Sequence, residues 1–188
     1  MSKAADDQRS DGELVAAINA GDWTAFEVLY FRHRDWAYRL AWRFSGDEAD
    51  AQDVVQEVFV YLARKFPGLQ LTAGLTTLLY PAVKHTAITL RKKRQRMVGG
   101  GELGDLEMGG VGDKGTEGDG ELREQLREVM RGLSEEHREV VLMRFVDEMS
   151  LDEIAAALGV PTGTVKSRLH HAVKGLRADS RVRRWFEV

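Results

Sequence analysis

Two clusters of cationic and hydroxyl side chains in this sequence could bind a polyanion. The first is the run RKKRQR, Arg91–Arg96, in which five of the six residues are cations. The second lies near the C-terminus, where one face of an expected helix presents donors for phosphates and base edges. Its members are Thr164, Lys166, Ser167, His170, His171 and Lys174, with Arg168 on the flank. Two separate basic faces indicate two contacts with one nucleic acid, although the net charge of the chain is -3.

The second cluster lies in a stretch that is typical of a helix-turn-helix. DEIAAALGVPTGTVKSRLHHAVKGLR, Asp152–Arg177, contains two short segments of helical apolar periodicity on either side of Gly159. We expect the inner side of the first helix to consist of Ile154, Ala155 and Leu158. The apolar stripe of the second helix is expected to consist of Val165, Leu169, Ala172 and Leu176. Pro161 falls in the first turn of the second helix, where proline is tolerated. An ordinary helical hairpin with a solvated cationic face is the alternative. We favour a DNA-binding helix-turn-helix, because the hinge, the apolar inner residues and the outward hydrogen-bond donors all fit that motif.

A third polar cluster lies on one helix of the N-terminal half. In DAQDVVQEVFVYLAR, Asp50–Arg64, apolar residues at helical spacing leave the opposite face to polar side chains. That polar face consists of Asp50, Asp53, Gln56 and Glu57. Exposure to solvent alone would explain it, and paired carboxylates could also serve acid–base chemistry or hold a metal. Nothing in the sequence supplies the histidine, third ligand or pocket that such chemistry needs. We therefore expect no enzyme, no metal and no cofactor.

Composition narrows the remaining function classes. The chain has 188 residues, which is enough for one medium domain or two small ones. It has no cysteine, which excludes disulfides, thiolate zinc sites and cysteine nucleophiles. No apolar run approaches the roughly 20 residues of a membrane-spanning helix, and the start MSKAADDQRSDGE is too polar for a secretion signal. We expect no membrane insertion and a cytoplasmic location.

Both halves of the chain are expected to be helical, which makes the fold class all-α with two small helical domains. Met97–Glu121 is dense in glycine and acids and has no aromatic residue, so we expect a flexible linker there. The predicted organisation is a tail over 1–10, a first domain over 11–96, the linker over 97–121, a second domain over 122–180 and a tail over 181–188. Periodicity and end signals predict helices over Asp11–Ala20, Trp23–Phe44, Asp47 or Asp50 to Lys65, Thr76–Arg96, Glu121–Gly132, Ser134–Val146, Ser150–Leu158 and Thr162–Leu176.

Longer stretches around the three clusters resemble a known family. LSEEHREVVLMRFVDEMSLDEIAAALGVPTGTVKSRLHHAVKGLR, Leu133–Arg177, resembles region four of a bacterial RNA polymerase sigma factor, specifically of the two-domain extracytoplasmic-function group. LuxR-type response regulators have a similar DNA-binding helix-turn-helix, so this half of the chain alone does not distinguish the two families. AFEVLYFRHRDWAYRLAWRFSGDEADAQDVVQEVFVYLARKFPGL, Ala25–Leu69, is similar to region two of the same group. The two matches cover nearly the whole chain outside the linker and the ends.

The resemblance implies a sigma factor that binds core RNA polymerase and directs initiation by recognising and melting promoter DNA. The polar face of Asp50, Asp53, Gln56 and Glu57 would dock on the clamp helices of the largest polymerase subunit. The helix over Leu75–Arg96 would grip the minus-ten element. Its implied DNA contacts are Tyr80, Lys84, His85, Arg91, Lys92 and Arg94. The reader helix, Thr162–Lys174, would enter the major groove of the minus-thirty-five element.

The resemblance also implies a role for the linker and further partners. In this group the inter-domain segment threads the active-site cleft of the polymerase, where an acidic strand would mimic nucleic acid. A plain tether is the alternative for this chain. The polymerase flap is a second implied contact with the core enzyme. An anti-sigma factor that clamps both domains often holds members of this group inactive, and it is a further implied partner.

Several positions depart from the family pattern. His85 stands where the family has asparagine, Thr89 where it has aspartate, and Pro81 where a polar or basic residue is usual. His171 and Val173 replace arginines of the reader helix. These departures keep open a protein-interaction adaptor that binds core polymerase without opening DNA. A stand-alone DNA-binding regulator with the same reader is another alternative, but it leaves the match of the first domain unexplained.

Overall fold

The described part of the chain consists of helices and the turns between them. The computed structural model describes residues 7–98, 126–179 and 182. The chain divides into two compact units, Met1–Gly110 and Val111–Val188. The expected all-α fold class is confirmed. Of the expected linker, only Met97 and Val98 are described, and they are the last residues of a helix. The rest of the linker lies outside the described residues.

Residues 7–98, the described part of the first unit, form four helices, and three of them pack against the second one. They are α1, Asp11–Asn19; α2, Thr24–Ser45; α3, Glu48–Ala63; and α4, Leu75–Val98. α2 contacts each of the other three, and α3 also packs against α4. The fully buried side chains of this unit include Leu14, Ile18, Leu29, Leu40, Val54, Leu62, Leu75, Leu79 and Tyr80. Each helix begins and ends within two residues of the bounds predicted from the sequence.

Short-range signals set the ends of these helices. Ser10 and Glu13 form a capping box that satisfies free N–H groups at the start of α1. Gly46 ends α2 in the left-handed conformation, with φ of 70°, which glycine adopts without steric cost. Asp47 follows at once and caps α3, because its side chain accepts a hydrogen bond from the backbone N–H of Asp50.

α4 continues through Pro81, although proline removes one hydrogen bond from a helix interior. The stripe of Leu75, Leu79, Val83 and Ala87, each four residues from the next, is buried against α2 and α3. Burying a large aliphatic side chain contributes about 1.5–3 kcal/mol. The buried stripe therefore offsets the lost hydrogen bond, and Pro81 itself lies on the exposed side.

In the described part of the second unit, residues 126–131 are helical, a segment called α5, and three further helices follow. These are α6, Glu135–Phe145; α7, Leu151–Leu158; and α8, Thr162–Ala178. α8 packs on both α6 and α7. Ser134 caps α6 by accepting a hydrogen bond from the backbone N–H of His137, and Ser150 forms a capping box with Glu153 at the start of α7. The buried side chains include Val129, Met130, Val140, Met143, Met149, Ile154, Val165 and Ala172.

A charge network around the buried His33 connects α1 to α2. His33 is 8% exposed, and its Nε2 lies 2.8 Å from Oδ2 of Asp11. Arg32 donates from Nη1 to the other oxygen of Asp11, also at 2.8 Å. Burial by itself raises the pKa of Asp11, but the hydrogen bonds and charges of His33 and Arg32 outweigh it. The pKa of Asp11 is therefore lowered from its ordinary value of 3.8.

The substitution Asp11→Asn should destabilise the first unit by about 1–3 kcal/mol, because it weakens the charged hydrogen bonds to His33 and Arg32. A carboxyl with a lowered pKa stabilises the fold above its unfolded pKa, and this contribution is lost as pH falls through the folded pKa. Below about pH 4, the free energy of unfolding should consequently fall less steeply with decreasing pH in the variant than in the wild type. Urea unfolding as a function of pH measures both effects. Asp35→Asn, which removes an exposed carboxylate, is the control and should change stability by less than about 0.5 kcal/mol.

Candidate functional site

The polar face predicted on α3 points away from the core. Val54 and Val58 are buried, whereas Asp53, Gln56 and Glu57 are exposed. Asp50 lies one turn earlier and is half-buried. The four predicted residues Asp50, Asp53, Gln56 and Glu57 therefore form one polar surface along α3, which could bind another protein.

A groove of about 390 Å³ between α2 and α3 extends this surface. Its lining residues are Tyr30, Arg34, Asp35, Tyr38, Gln52, Asp53, Val55 and Gln56. Asp53 and Gln56 belong to the predicted set, whereas Arg34, Asp35 and Tyr38 were not predicted. Nothing local in the sequence marks these α2 residues, because their importance depends on the packing of α2 beside α3. The groove carries both signs of charge and aromatic edges, which suits a protein partner more than a nucleic acid.

The residues predicted on α4 divide into accessible and buried ones. His85 and Lys92 are exposed, and Lys84, Arg91 and Arg94 are half-buried. Together they give α4 a cationic strip over its C-terminal two thirds, with the exposed Lys93 and Arg96 beside it.

Tyr80 is a correction to the predicted DNA-binding set. The side chain is 1% exposed, and its ring packs edge-on against Phe44 with centroids 6.3 Å apart. It is a core residue because the helix turn from Leu79 to Val83 carries it toward α2. The Nζ of Lys84 lies 5.6 Å from the centroid of the same Phe44 ring, in a cation–π contact.

A second groove of about 390 Å³ lies between α3 and α4. Its lining includes Glu57 of the α3 surface and His85 of the α4 strip, together with Tyr61, Leu78 and Pro81. Tyr61 is 46% exposed, and the Nζ of Lys65 lies 4.5 Å from its ring centroid. Sequence reasoning missed Tyr61, although its position four residues after Glu57 places it on the same helix face.

Arg94 links α4 to the start of α3. Its Nη1 lies 2.6 Å from Oδ2 of Asp47 and 3.0 Å from Oδ2 of Asp50. The hydrogen bond from the backbone N–H of Asp50 is the main cause of a lowered pKa at Asp47, and Arg94 lowers it further. Burial raises the pKa of Asp50; Arg94 opposes this rise, and the carboxylates of Asp47 and Asp53 add to it. A predicted protein contact, Asp50, and a predicted DNA contact, Arg94, thus form one ion-pair cluster.

The second unit contains the expected helix-turn-helix. α7 ends at Gly159, whose φ of 66° lies in the left-handed region that favours glycine. Ile154 and Val165 are both buried and hold α7 and α8 together. The hydroxyl of Thr162 donates to Oδ1 of Asp152 at 2.9 Å and ties the start of α8 to the first turn of α7. The orientation of α8 is therefore fixed by contacts on both sides of the turn.

The predicted donors of α8 lie largely on its outward side. Those that are exposed are Lys166, Ser167, His170, His171 and Lys174. Thr164 and Arg168 are half-buried. The Nη2 of Arg168 lies 2.8 Å from a carboxylate oxygen of Glu136 in α6, so Glu136 partly neutralises the charge of Arg168. His137 of α6 was not predicted, yet its ring stacks on His171 with centroids 6.1 Å apart and planes 22° apart. These contacts brace the α8 surface against α6.

In the part of the chain that the structure describes, no group of three histidine, cysteine, aspartate or glutamate side chains is arranged to hold a metal ion. Among the same residues, no helix is both long enough and apolar enough to cross a membrane. The arrangement that remains consists of a polar surface on α3 and two cationic surfaces, one in each unit.

The sequence matches family models for both units. Residues 29–97 match the model described as Sigma-70 region 2, and residues 123–176 match the one described as Sigma-70, region 4. The α3 surface and the cationic strip of α4 fall within the first match, and the helix-turn-helix falls within the second. Both regions inferred from resemblance are therefore confirmed.

Curated relatives match over nearly their whole lengths. ECF RNA polymerase sigma factor SigL of Mycobacterium tuberculosis is 31% identical over 168 residues, which span 87% of this chain and 93% of the relative. The ECF RNA polymerase sigma-E factor of Escherichia coli K12 is 30% identical over 176 residues, or 88% of this chain and 92% of the relative. SigW of Bacillus subtilis is 27% identical over 177 residues, with 89% and 95% covered.

Solved structures share the fold. CnrH, in complex with the cytosolic domain of CnrY, superposes with a TM-score of 0.65 at 24% identity, covering 90% of this chain and 96% of CnrH. RpoE of Bartonella quintana, in complex with the anti-sigma factor NepR, gives a TM-score of 0.59 at 19% identity, with 81% and 94% covered. At these identities the likeness establishes the fold alone.

Sigma factors are not enzymes; they direct promoter-specific initiation by RNA polymerase. The two region matches and the relatives at 31% and 30% identity, covered over 93% and 92% of their length, agree on one assignment. The chain belongs to the ECF RNA polymerase sigma factors of the sigma-70 family.

Proposed function

We propose that the three surfaces divide the work of initiation among them. The polar surface of α3 binds core RNA polymerase, the cationic strip of α4 binds the minus-ten element, and the outward face of α8 binds the minus-thirty-five element. The observation that carries this proposal is the segregation of exposed charge. Carboxylates and amides line α3, whereas cations line α4 and α8. A polyanion is attracted to the second kind of surface and repelled by the first.

The core-binding surface comprises Asp50, Asp53, Gln56 and Glu57, and its partner is the pair of clamp helices of the largest polymerase subunit. The α2–α3 groove supports an extension of this surface to Arg34 and Asp35, because they line the same depression as Asp53. Mixed charges at the edge of an interface mainly set its specificity and association rate. We assign the polymerase flap to the second unit, in line with the resemblance.

The minus-ten surface comprises Lys84, His85, Arg91, Lys92 and Arg94, and Tyr80 is left out because it is buried. Capture of an open strand needs cations for phosphates and a recess for bases. The strip supplies the cations, and the α3–α4 groove beside His85 supplies a recess with apolar walls.

The minus-thirty-five surface is the exposed face of α8 in the DNA major groove. Lys166 and Lys174 are well placed to position the helix on phosphates. Ser167 and His170 carry the donor and acceptor groups that read base edges. Arg168 contributes to both the internal pair with Glu136 and the DNA-facing flank.

We also propose that an anti-sigma factor binds this chain and that it acts in the cytoplasm, where polymerase and promoters are found. The support is that CnrH and the Bartonella RpoE, which share its fold, were solved bound to CnrY and NepR. Exposed apolar side chains in both units, including Phe31 and Phe145, fit a protein partner.

Run-off transcription tests the whole assignment. Purified bacterial core polymerase, this protein and fragments of the genome that encodes it should yield discrete new start sites that share upstream motifs. Binding of core polymerase without new start sites would support the adaptor instead. Absence of binding to core polymerase, together with tight binding to duplex DNA, would favour the stand-alone regulator.

Asp53→Lys should weaken binding to core polymerase by roughly tenfold, or about 1.4 kcal/mol, because it reverses the charge at the centre of the α3 surface. The side chain is exposed, so stability should change by less than about 0.5 kcal/mol. Fluorescence titration of labelled protein with core polymerase measures the affinity. Glu27→Lys makes the same charge change at an exposed site of α2 outside the groove and should leave the affinity near that of wild type. Equal losses in both variants would contradict the assignment.

Lys166→Ala should weaken binding of the holoenzyme to promoters of different sequence by similar factors. It should also reduce the slope of log affinity against log salt concentration by about one, since one phosphate contact is lost. Ser167→Ala should instead act unequally on promoters that differ at a single minus-thirty-five base pair, by about 1–3 kcal/mol. Arg131→Ala, at an exposed arginine of α5, is the matched control. An unchanged salt slope in Lys166→Ala would place that residue off the DNA.

A further inference from the structure

Two consecutive residues of α6 contact two residues of α8 that lie about one helical turn apart. Glu136 pairs with Arg168 at 2.8 Å, and the ring of His137 stacks on the ring of His171. The centroids of the His137 and His171 rings are 6.1 Å apart, and their planes differ by 22°. The ring of His170 meets His171 edge-on, with centroids 5.6 Å apart. The His171 ring therefore has aromatic neighbours both on its own helix and on α6.

His171 lies on the face of α8 to which we assign the minus-thirty-five element. It is exposed, and so are Ser167, four residues before it, and Lys174, three residues after it. Residues at these spacings are neighbours on a helix surface. His137 is half-buried and is not among the residues assigned to DNA. A DNA strand that contacts Lys174 therefore comes close to the ring of His171.

The protonation state of a histidine decides what it offers to a DNA phosphate. The neutral ring has one N–H donor, whereas the protonated ring has two donors and a positive charge. Histidine side chains change between these states within the range of pH 5 to 8. A nearby opposite charge favours the charged form of a titratable group. A phosphate beside His171 consequently favours uptake of a proton from solvent by that ring.

Charged groups from the packed helices set the conditions for this proton. Those adjacent in sequence to either ring, or one turn away, are Glu136 and Arg138 of α6 and Arg168, His170 and Lys174 of α8. Arg168 offsets Glu136, and Arg138 donates to a backbone carbonyl of α5. On α7, Asp152 accepts a hydrogen bond from Thr162 at the opposite end of α8. Since two adjacent imidazolium charges would repel each other, the pair takes up one proton more readily than two.

We propose that His137 and His171 form one proton-binding unit of the minus-thirty-five surface, which takes up a proton from solvent when α8 binds DNA. The inference rests on the proposed function of α8. His171 carries the proton and contacts a phosphate. His137 is a positioning residue, because its stacked ring limits the orientations of the His171 ring and so reduces the entropy lost on binding. The DNA-bound state holds more protons than the free state, so affinity for the minus-thirty-five element rises as pH falls from 8 to 6.

His171→Gln tests the proton uptake, because glutamine keeps a neutral hydrogen-bonding group that does not titrate. Fluorescence anisotropy would measure binding of the holoenzyme to a labelled promoter, mapped by run-off transcription, at pH 6 and pH 8 and at several salt concentrations. Comparison with wild type at the same pH cancels the contribution of histidines elsewhere in the holoenzyme. We expect the variant to bind about two- to fivefold more weakly than wild type at pH 6 and nearly equally at pH 8. The slope of log affinity against log salt concentration should be smaller by about 0.9 at pH 6 only.

Two substitutions of His137 separate positioning from titration of that residue. His137→Phe keeps a planar ring that does not titrate, and it should retain most of the pH dependence of binding. His137→Ala removes the ring and should bring the pH dependence close to that of His171→Gln. Lys166→Ala is the comparison, because lysine carries its charge at both pH values and its loss should lower affinity by similar factors at each. Urea unfolding at both pH values would confirm that every variant is folded.

The proposal is overturned if His171→Gln changes affinity by the same factor at pH 6 and pH 8, or if its salt slope equals that of wild type at pH 6. Equal loss of pH dependence in His137→Phe and His137→Ala would also overturn it, since His137 would then be the titrating ring. These results leave the proposed function intact when Lys166→Ala lowers the salt slope. An unchanged salt slope in Lys166→Ala would instead overturn the assignment of α8 to DNA, and the proton uptake with it.

Discussion

Burial of the apolar face of α3 between α2 and α4 fixes the direction of every polar side chain on that helix. Val54, Val58 and Leu62 are almost completely buried, and each contributes about 1.5–3 kcal/mol to keeping α3 in this rotation. A turn of α3 about its axis would bring Asp53 or Glu57 into the core without partners, at a large cost. The packing of the core thus determines which side chains of α3 form the outward polar surface. The two grooves lie on either side of α3, where it packs beside α2 and α4.

The second unit applies the same principle on a smaller scale. Ile154 and Val165 fill the angle between α7 and α8, and Gly159 supplies a backbone conformation that other residues adopt only with strain. The donors of α8 then face outward by default. Arg168 and His171 contact α6 through Glu136 and His137, so the exposed face is supported from behind. A surface that reads DNA needs such support, because side chains must meet base edges with good geometry.

Much of this architecture was predictable because it depends on short-range patterns. Helical periodicity predicted the α3 surface, and end signals with the hinge at Gly159 predicted a helix over Ser150–Leu158, which corresponds to α7. For Tyr80 the sequence pattern was not sufficient, because a residue next to the buried stripe of α4 can face either the core or solvent. The ring of Phe44 on α2 is what holds the Tyr80 side chain in the core. The Arg94 cluster could not be predicted because Asp47 is distant in sequence and is brought near by packing of α3 on α4.

The limits of α7 bear on how the helix-turn-helix forms. Its start is marked by its own capping box and its end by Gly159, and α6, α7 and α8 follow one another with short connections. Contacts between neighbours in sequence cost little loop-closure entropy, and helical units rich in them fold in microseconds to milliseconds. The reader is therefore suited to rapid assembly from its own segment, and after local unfolding it should regain its shape faster than a domain built on distant contacts.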